Sequence, residues 1–310
     1  MLSLLPKAAN KATRLNKIQV QSLIAIVLIC LVALTLSWNF FYKQGGTISF
    51  ASHSEHSTII YLAAAHRSGE LIQSLTLVAR NLHTGSRRWP IILFHTGDFD
   101  STEARSELLT RLGSPFPFIR RIRFSKLFWT LPEGISNNIT IVDPVFAGVW
   151  PGYHHMCAFF SAPIFSHPAL EGYTYYLRLD TDSFIEAPLC YDPFEVMHAR
   201  NRTYGYRYLG MDPPEVTRGL WSFMSGRERL RMNGWKWPNG RDEATMPGEM
   251  GENDEGEWPE AQHDFFPGYY NNFEIVKLEA FRRPDVQEWL TEVMRDPKRA
   301  YKYRWANAVP

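Results

Sequence analysis

Apolar runs of strand length alternate with helical periods from residue 58 onward, and that alternation leaves few architectures open. Thr58 to Ala65 is one such run, and Glu70 to Leu82 follows it with Leu71, Leu75, Val78 and Leu82 at helical spacing. The unit repeats at once. Pro90-Ile91-Ile92-Leu93-Phe94 reads as a second buried strand, and Ser101 to Leu112 as an amphipathic helix that turns Leu108, Leu109 and Leu112 inward and stops at Gly113. Ile139 to Val142 supplies a third strand and Tyr175 to Asp180 a fourth. Such strands, separated by helices, predict an α/β fold with a mixed, mostly parallel sheet covered on both faces.

Beyond the fourth strand the pattern loosens. Residues 211 to 271 are rich in Pro, Gly and Trp and carry an acidic run of Glu249, Glu252, Asp254, Glu255 and Glu257, so they read as a long surface excursion with short helices. A last helix is predicted from about Pro284 to Arg295. With 45% hydrophobic and 21% charged residues in 310, the chain can bury a real core, which excludes a disordered or disulfide-scaffold protein. A net charge of +1 offers nucleic acid no field to bind to.

Charge is unevenly placed. From Ile18 to Tyr42 no residue is charged, and at ~1.5 Å rise per residue the segment is long enough for a hydrocarbon core of ~30 Å. Lys7, Lys11, Arg14 and Lys17 precede it and Lys43 follows, so residues 1–17 are expected in the cytosol and the body on the far side of a membrane. Trp38, Phe40, Phe41 and Tyr42 would form the interfacial belt. The resulting layout is a tail (1–17), a single-span signal-anchor (18–42), a polar stem (43–57) and a lumenal domain (58–310). Cys157 and Cys190 would then share a compartment that permits a disulfide, with their pairing left open. The sequons at Asn138 and Asn201 agree with that topology.

Two groups of residues carry chemistry. In Arg178-Leu179-Asp180-Thr181-Asp182-Ser183, two carboxylates stand where an apolar strand runs out, the place where open α/β sheets bind ligands. Carboxylates there suit a hard cation such as Mn²⁺ or Mg²⁺, which would offset charge on a leaving diphosphate. In isolation, Asp-x-Asp is equally a polar turn or a helix cap. Tyr269-Tyr270-Asn271-Asn272-Phe273-Glu274-Ile275 places one carboxylate and two amides in an aromatic setting. Such a carboxylate suits an oxocarbenium-like centre, and the plainer reading has Glu274 opening a helix. His154 and His155 are adjacent and point in different directions, so they read as core or hydrogen-bonding residues rather than metal ligands.

Several blocks in order resemble the fungal Golgi α-1,2-mannosyltransferases of glycosyltransferase family 15. They are Tyr153-His154-His155-Met156-Cys157, His167-Pro168-Ala169-Leu170, Tyr175 through Asp182, Tyr191-Asp192-Pro193-Phe194, Thr203-Tyr204-Gly205-Tyr206 and Asn272-Phe273-Glu274-Ile275, with Tyr303-Arg304-Trp305 opening a closing block. The resemblance implies a GT-A type nucleotide-sugar-binding fold, Mn²⁺ as cofactor, and retaining transfer of mannose from GDP-mannose to a mannose-terminated glycan on a glycoprotein, in the Golgi membrane. It further implies Asp180 and Asp182 at the metal, Glu274 as the catalytic carboxylate facing the anomeric carbon, and His66, Arg67, Tyr153, Arg178, Asp180 and Asn272 as donor-binding residues. Asp182→Ala and Glu274→Ala are then expected to abolish transfer with folding intact. An acceptor groove would draw on Trp221, Trp235, Trp237 or Trp258.

The chain departs from the family pattern in three places, the first being His154 where the family has an Arg before His-Met-Cys. The family's Glu-Pro-Asp is Asp180-Thr181-Asp182 here, and the family's closing block continues to a metal-reaching His where this sequence reads Trp305-Ala306-Asn307-Ala308-Val309-Pro310. Either the sequence stops short of that block or the metal site lacks one ligand. These departures keep two other functions open: a glycan- or nucleotide-binding paralogue without turnover, and a transferase for another hexose.

Overall fold

In the computed structural model, described over residues 56–82, 89–113, 121–220, 223 and 266–305, a six-stranded sheet forms the centre of the body. The expected tail, signal-anchor and nearly all of the stem lie outside the described residues, as do the acidic run, Trp221, Trp235, Trp237, Trp258 and residues 306–310. Among the described residues no helix is long and apolar enough to cross a membrane.

The strands are β1 (Ser57–Leu62), β2 (Ile91–His95), β3 (Ile122–Lys126), β4 (Tyr175–Leu179), β5 (Tyr204–Tyr206) and β8 (Phe273–Lys277), in the spatial order β3-β2-β1-β4-β8-β5. The first four run parallel, while β8 runs antiparallel between β4 and β5. Strands β6 (Leu209–Asp212) and β7 (Phe266–Tyr269) pair antiparallel in a separate ribbon. The expected α/β architecture with a mixed, mostly parallel sheet is therefore what forms.

Side-chain alternation gives each face of the sheet its own core. On one face Ile59, Tyr61, Ile91, Leu93, Tyr175, Leu177 and Ile275 pack under α1 (Ser68–Leu77) and α2 (Thr102–Leu112), through Leu71, Leu75 and Leu108. On the other Ile60, Ile92, Phe94, Tyr176 and Val276 meet Phe159 and Phe160 of α4 (Gly152–Ser161) and Leu290 of α7 (Pro284–Met294). Each such side chain contributes ~1.5–3 kcal/mol of burial, and neither face of the parallel strands is left for water. Helix α2 begins where Ser101 accepts a hydrogen bond from the Ala104 amide and ends at Gly113, whose φ of 82° no β-carbon favours.

One predicted strand is a helix. Ile139–Val142 forms a single turn, α3, because Asn138 caps it by accepting from the Thr140 amide at 2.9 Å and Asp143 closes it in the left-handed region. Its Ile141 is 70% exposed, which a central strand would not allow. The third parallel strand is β3, at the sheet's edge and alternating between half-buried Ile122 and Phe124 and exposed Arg123. Nor does Glu274 open a helix: it lies inside β8, and a short helix, α6 (Leu278–Phe281), begins after the strand ends. The last predicted helix forms as α7, followed by α8 (Pro297–Tyr301). The remaining helix used below, α5 (Pro193–Ala199), is capped by Asp192.

Candidate active site

The sheet order reverses at β1, which has β2 on one side and β4 on the other, so the carboxyl ends of β1 and β4 bound the crevice where an open α/β sheet takes its ligand. Both ends carry charge. Arg67, just beyond β1, reaches across with Nη2 to Oδ2 of Asp182 at 2.8 Å and donates from Nε to Glu70 at 2.5 Å. These contacts hold its guanidinium above the ordinary arginine value. His66 beside it is exposed.

The acidic loop after β4 is stitched down by its backbone. The Ser183 amide donates to the Asp180 carbonyl at 2.9 Å, the Asp180 amide to the Asn272 carbonyl at 3.2 Å, and the Ser183 hydroxyl to that same carbonyl at 2.8 Å. From below, the buried Ser74 hydroxyl of α1 donates to the Ser183 carbonyl at 2.6 Å. Asp180 is left half-buried and Asp182 exposed, each meeting an arginine through one carboxylate oxygen, Oδ1 of Asp180 with Arg178 and Oδ2 of Asp182 with Arg67. That oxygen donor set fits a hard divalent cation, which commonly binds one or two carboxylates and lets substrate phosphates complete its shell. Among the described residues no cluster of three His, Cys, Asp or Glu forms a site by itself.

Next to this loop lies a cavity of about 210 Å³. Arg178, Asp180, Asn272, Tyr153, Arg304 and Asp212 are among the residues that line it. It is smaller than the ~300–1,000 Å³ typical of drug-sized ligands, so it has room for one end of an extended substrate. The structure thus brings together four predicted donor residues, Tyr153, Arg178, Asp180 and Asn272. Arg67 and Asp182 meet at the neighbouring crevice, and His66 and Glu274 do not line the cavity.

Glu274 sits beside Arg178 on the next strand. It is paired in register with Arg178 across β8 and β4, and its carboxylate lies 3.8 Å from the Arg178 guanidinium. Tyr204 donates to its Oε2 at 2.5 Å and Tyr176 to its Oε1 at 3.3 Å. Burial pushes the Glu274 carboxyl up, against the opposing pull of Arg178 and the Tyr204 hydrogen bond. Burial also works against the charge of Arg178, yet Asp180 at 3.2 Å and Glu274 outweigh it and hold the guanidinium protonated above its ordinary value. Its flat face rests on the Phe160 ring at 3.7 Å.

The cavity is also lined by a second ion pair. Arg304 bonds Asp212 and donates to the Tyr153 hydroxyl at 2.9 Å. Burial raises both the Tyr153 and the Asp212 pKa, and Arg304 counters the shift in each. Asp212, Arg304, Tyr176 and Tyr204 were not assigned roles from sequence. For Tyr204 and Arg304 the only signal was membership of the quoted blocks; for Asp212 there was none, because β6 and β7 pair across a long excursion. His154 and His155 are buried, as their sequence reading expected, and His155 Nδ1 meets the Tyr301 hydroxyl at 2.9 Å. Cys157 is buried and Cys190 exposed, both as free thiols.

Comparison with known proteins identifies the family and the fold. The sequence profile of the family described as "Glycolipid 2-alpha-mannosyltransferase" matches residues 138–309. "O-glycoside alpha-1,2-mannosyltransferase homolog 2" of Schizosaccharomyces pombe is 23% identical over 268 residues, covering 82% of this chain and 65% of that protein. "Glycolipid 2-alpha-mannosyltransferase" of Saccharomyces cerevisiae is 25% identical over 273 residues, covering 84% of this chain and 57% of that protein. This chain therefore spans roughly three fifths of their length. Among solved structures, core-mannan synthase A from Aspergillus fumigatus in its Mn/GDP form superposes with a TM-score of 0.60 at 21% identity, covering 82% of this chain and 67% of that one. The mannosyltransferase Ktr4p of S. cerevisiae in complex with GDP gives 0.61 at 20% identity, covering 82% and 66%.

Proposed function

This chain belongs to glycosyltransferase family 15, the glycolipid 2-alpha-mannosyltransferases, and on that premise we propose that it moves mannose from GDP-mannose to a mannose-terminated glycan of a glycoprotein, forming α-1,2 linkages with retention. The observation that carries the reading is the convergence of Arg178, Asp180, Asn272 and Tyr153 on one cavity beside the carboxyl end of β4. The relative solved with Mn and GDP and the relative solved with GDP support the same donor class.

In this reading the diphosphate lies along the crevice between Arg67 and Arg178, whose cations meet its charge, and the sugar enters the cavity. Asp180 and Asp182 would hold Mn²⁺, which when bound supplies charge stabilisation to the leaving diphosphate. Arg304 orients the Tyr153 hydroxyl toward the donor. Glu274, beside Arg178 on the next strand, supplies the negative charge of the reaction centre from next to the guanidinium. The body would work in the lumen of the Golgi, carried there by residues 18–42 as a single-pass anchor.

The test is turnover by the full chain with a panel of nucleotide sugars, with and without Mn²⁺, followed by linkage analysis of the product. We expect GDP-mannose and Mn²⁺ to be required and 2-linked mannose to appear; metal-dependent GDP binding without transfer to any acceptor favours the binding paralogue, and preference for another sugar nucleotide refutes the donor.

A further inference from the structure

Arg178 is one of the charges that line the cavity, and it is held from the neighbouring strand. Its side chain is 2% exposed, and at the Glu274 side Nη1 has no hydrogen bond, only the 3.8 Å approach to the carboxylate. What fixes that carboxylate is a hydroxyl from the other neighbouring strand. Strand β8 lies between β4 and β5, so Glu274 is directly opposite Arg178 on one side and Tyr206 on the other. Tyr204, two residues before Tyr206 and on the same face, reaches diagonally to Glu274 with the 2.5 Å hydrogen bond. Its ring is braced by Tyr269 at 5.2 Å and Phe281 at 6.0 Å between centroids, so the hydroxyl has little freedom to leave. The second donor, Tyr176, is longer at 3.3 Å. Short hydrogen bonds to a charged acceptor are the strong ones, so Tyr204 dominates the orientation of Glu274.

We propose that Tyr204 is a positioning residue for the donor: by pinning Glu274 it fixes the Arg178 guanidinium in the cavity wall, where it meets the diphosphate. The proposal rests on the donor reading above and adds to it a residue that never touches substrate. The chain Tyr204–Glu274–Arg178 runs across three adjacent strands, which makes its geometry a property of the sheet rather than of a loop. A side chain acting this way has to act through Glu274, and that is what separates it from a residue that merely packs.

The experiment uses the full chain with inorganic pyrophosphate in the presence of Mn²⁺ as probe, and reads its Kd by calorimetry for wild type, Tyr204→Phe, Glu274→Gln and the double variant. Phe keeps the ring and its packing, and Gln keeps the shape of Glu274. We expect Tyr204→Phe to weaken binding about tenfold in the wild-type background and less than twofold in the Glu274→Gln background, the non-additivity of groups acting in series. A second readout is the Arg178 guanidinium NMR signal, whose Nη protons should be distinct in wild type and merge in both single variants as the group is freed to rotate. Equal losses in both backgrounds, or an unchanged Kd and guanidinium signal in folded Tyr204→Phe, overturn the proposal while leaving the donor reading standing. Failure of wild type to bind pyrophosphate refutes the donor reading and this proposal with it.

Discussion

Replacing Glu274 by Ala removes one partner of an ion pair whose side chains are 2% and 6% exposed. The guanidinium of Arg178 cannot follow its charge to water, because it lies on the Phe160 ring at 3.7 Å and is walled by β4 and β8. Asp180 at 3.2 Å remains as a counter-charge, but with 35% of its side chain exposed it is partly screened. Stranding one member of a buried pair costs ~3–5 kcal/mol. At ~2–4 °C per kcal/mol for a domain of this size, the melting temperature should fall by about 6–20 °C. Glu274→Ala therefore cannot serve as a clean probe of chemistry, contrary to the expectation from sequence that folding would stay intact. The assay is thermal and urea denaturation at pH 7 of Glu274→Ala, Arg178→Met and the double variant Arg178→Met/Glu274→Leu. The double variant, which leaves no uncompensated charge, should be more stable than either single one. A fall below about 3 °C for Glu274→Ala, or strictly additive losses in the double variant, would refute the reasoning.

Two further outcomes follow from buried groups. Burial pushes the His154 imidazole from 6.5 down to about 4, so the unfolded chain takes up a proton first as pH falls. The stability this provides is fully present above pH 6.5 and is lost as pH drops toward 4, by roughly 3 kcal/mol. His154→Gln should flatten the pH dependence of urea midpoints across that window by about that amount, and an unaltered slope sinks the assignment. Alkylation of the native protein near pH 8 should label exposed Cys190 and spare Cys157, which is buried with its thiol pushed up to about 11. A peptide map showing Cys157 labelled in the native state, or a Cys157–Cys190 disulfide, contradicts that expectation.

The parts of the fold that were legible in the sequence are those where local pattern and tertiary environment demand the same thing. Leu71, Leu75, Val78 and Leu82 all carry 0% exposure, so their helical spacing was a direct image of packing. Ile139–Val142 failed because four β-branched residues, three of them apolar, satisfy a strand template, whereas capping by Asn138 and the left-handed Asp143 decide the local structure. Strand β3 was the opposite case: Ile122-Arg123-Phe124 alternates with period two, a signal too short and too charged to stand out beside the apolar central strands.

The candidate site divides along a related line, the position of each carboxylate within its strand. Asp180 and Asp182 follow the last residue of β4, so the chain has left the sheet and each carboxylate, though it meets an arginine through one oxygen, stays at least partly exposed. Glu274 is the second residue of β8, with Ile275 and Val276 after it, so parity places it on the face of buried Val276 and neighbouring strands surround it. An acid at a strand tip is available to a ligand; an acid inside a central strand must be compensated by the protein, here by Arg178, Tyr204 and Tyr176. Which residues compensate it was not readable locally, since Tyr176 of β4 and Tyr204 of β5 lie 98 and 70 residues before it in the chain. The physical consequence is that the cation lining the cavity and the buried anion beside it form one unit. Arg178 keeps its charge in a nearly dry wall because Asp180 and Glu274 together offset the cost of burying it, so any variant that alters Glu274 also alters the wall of the candidate site.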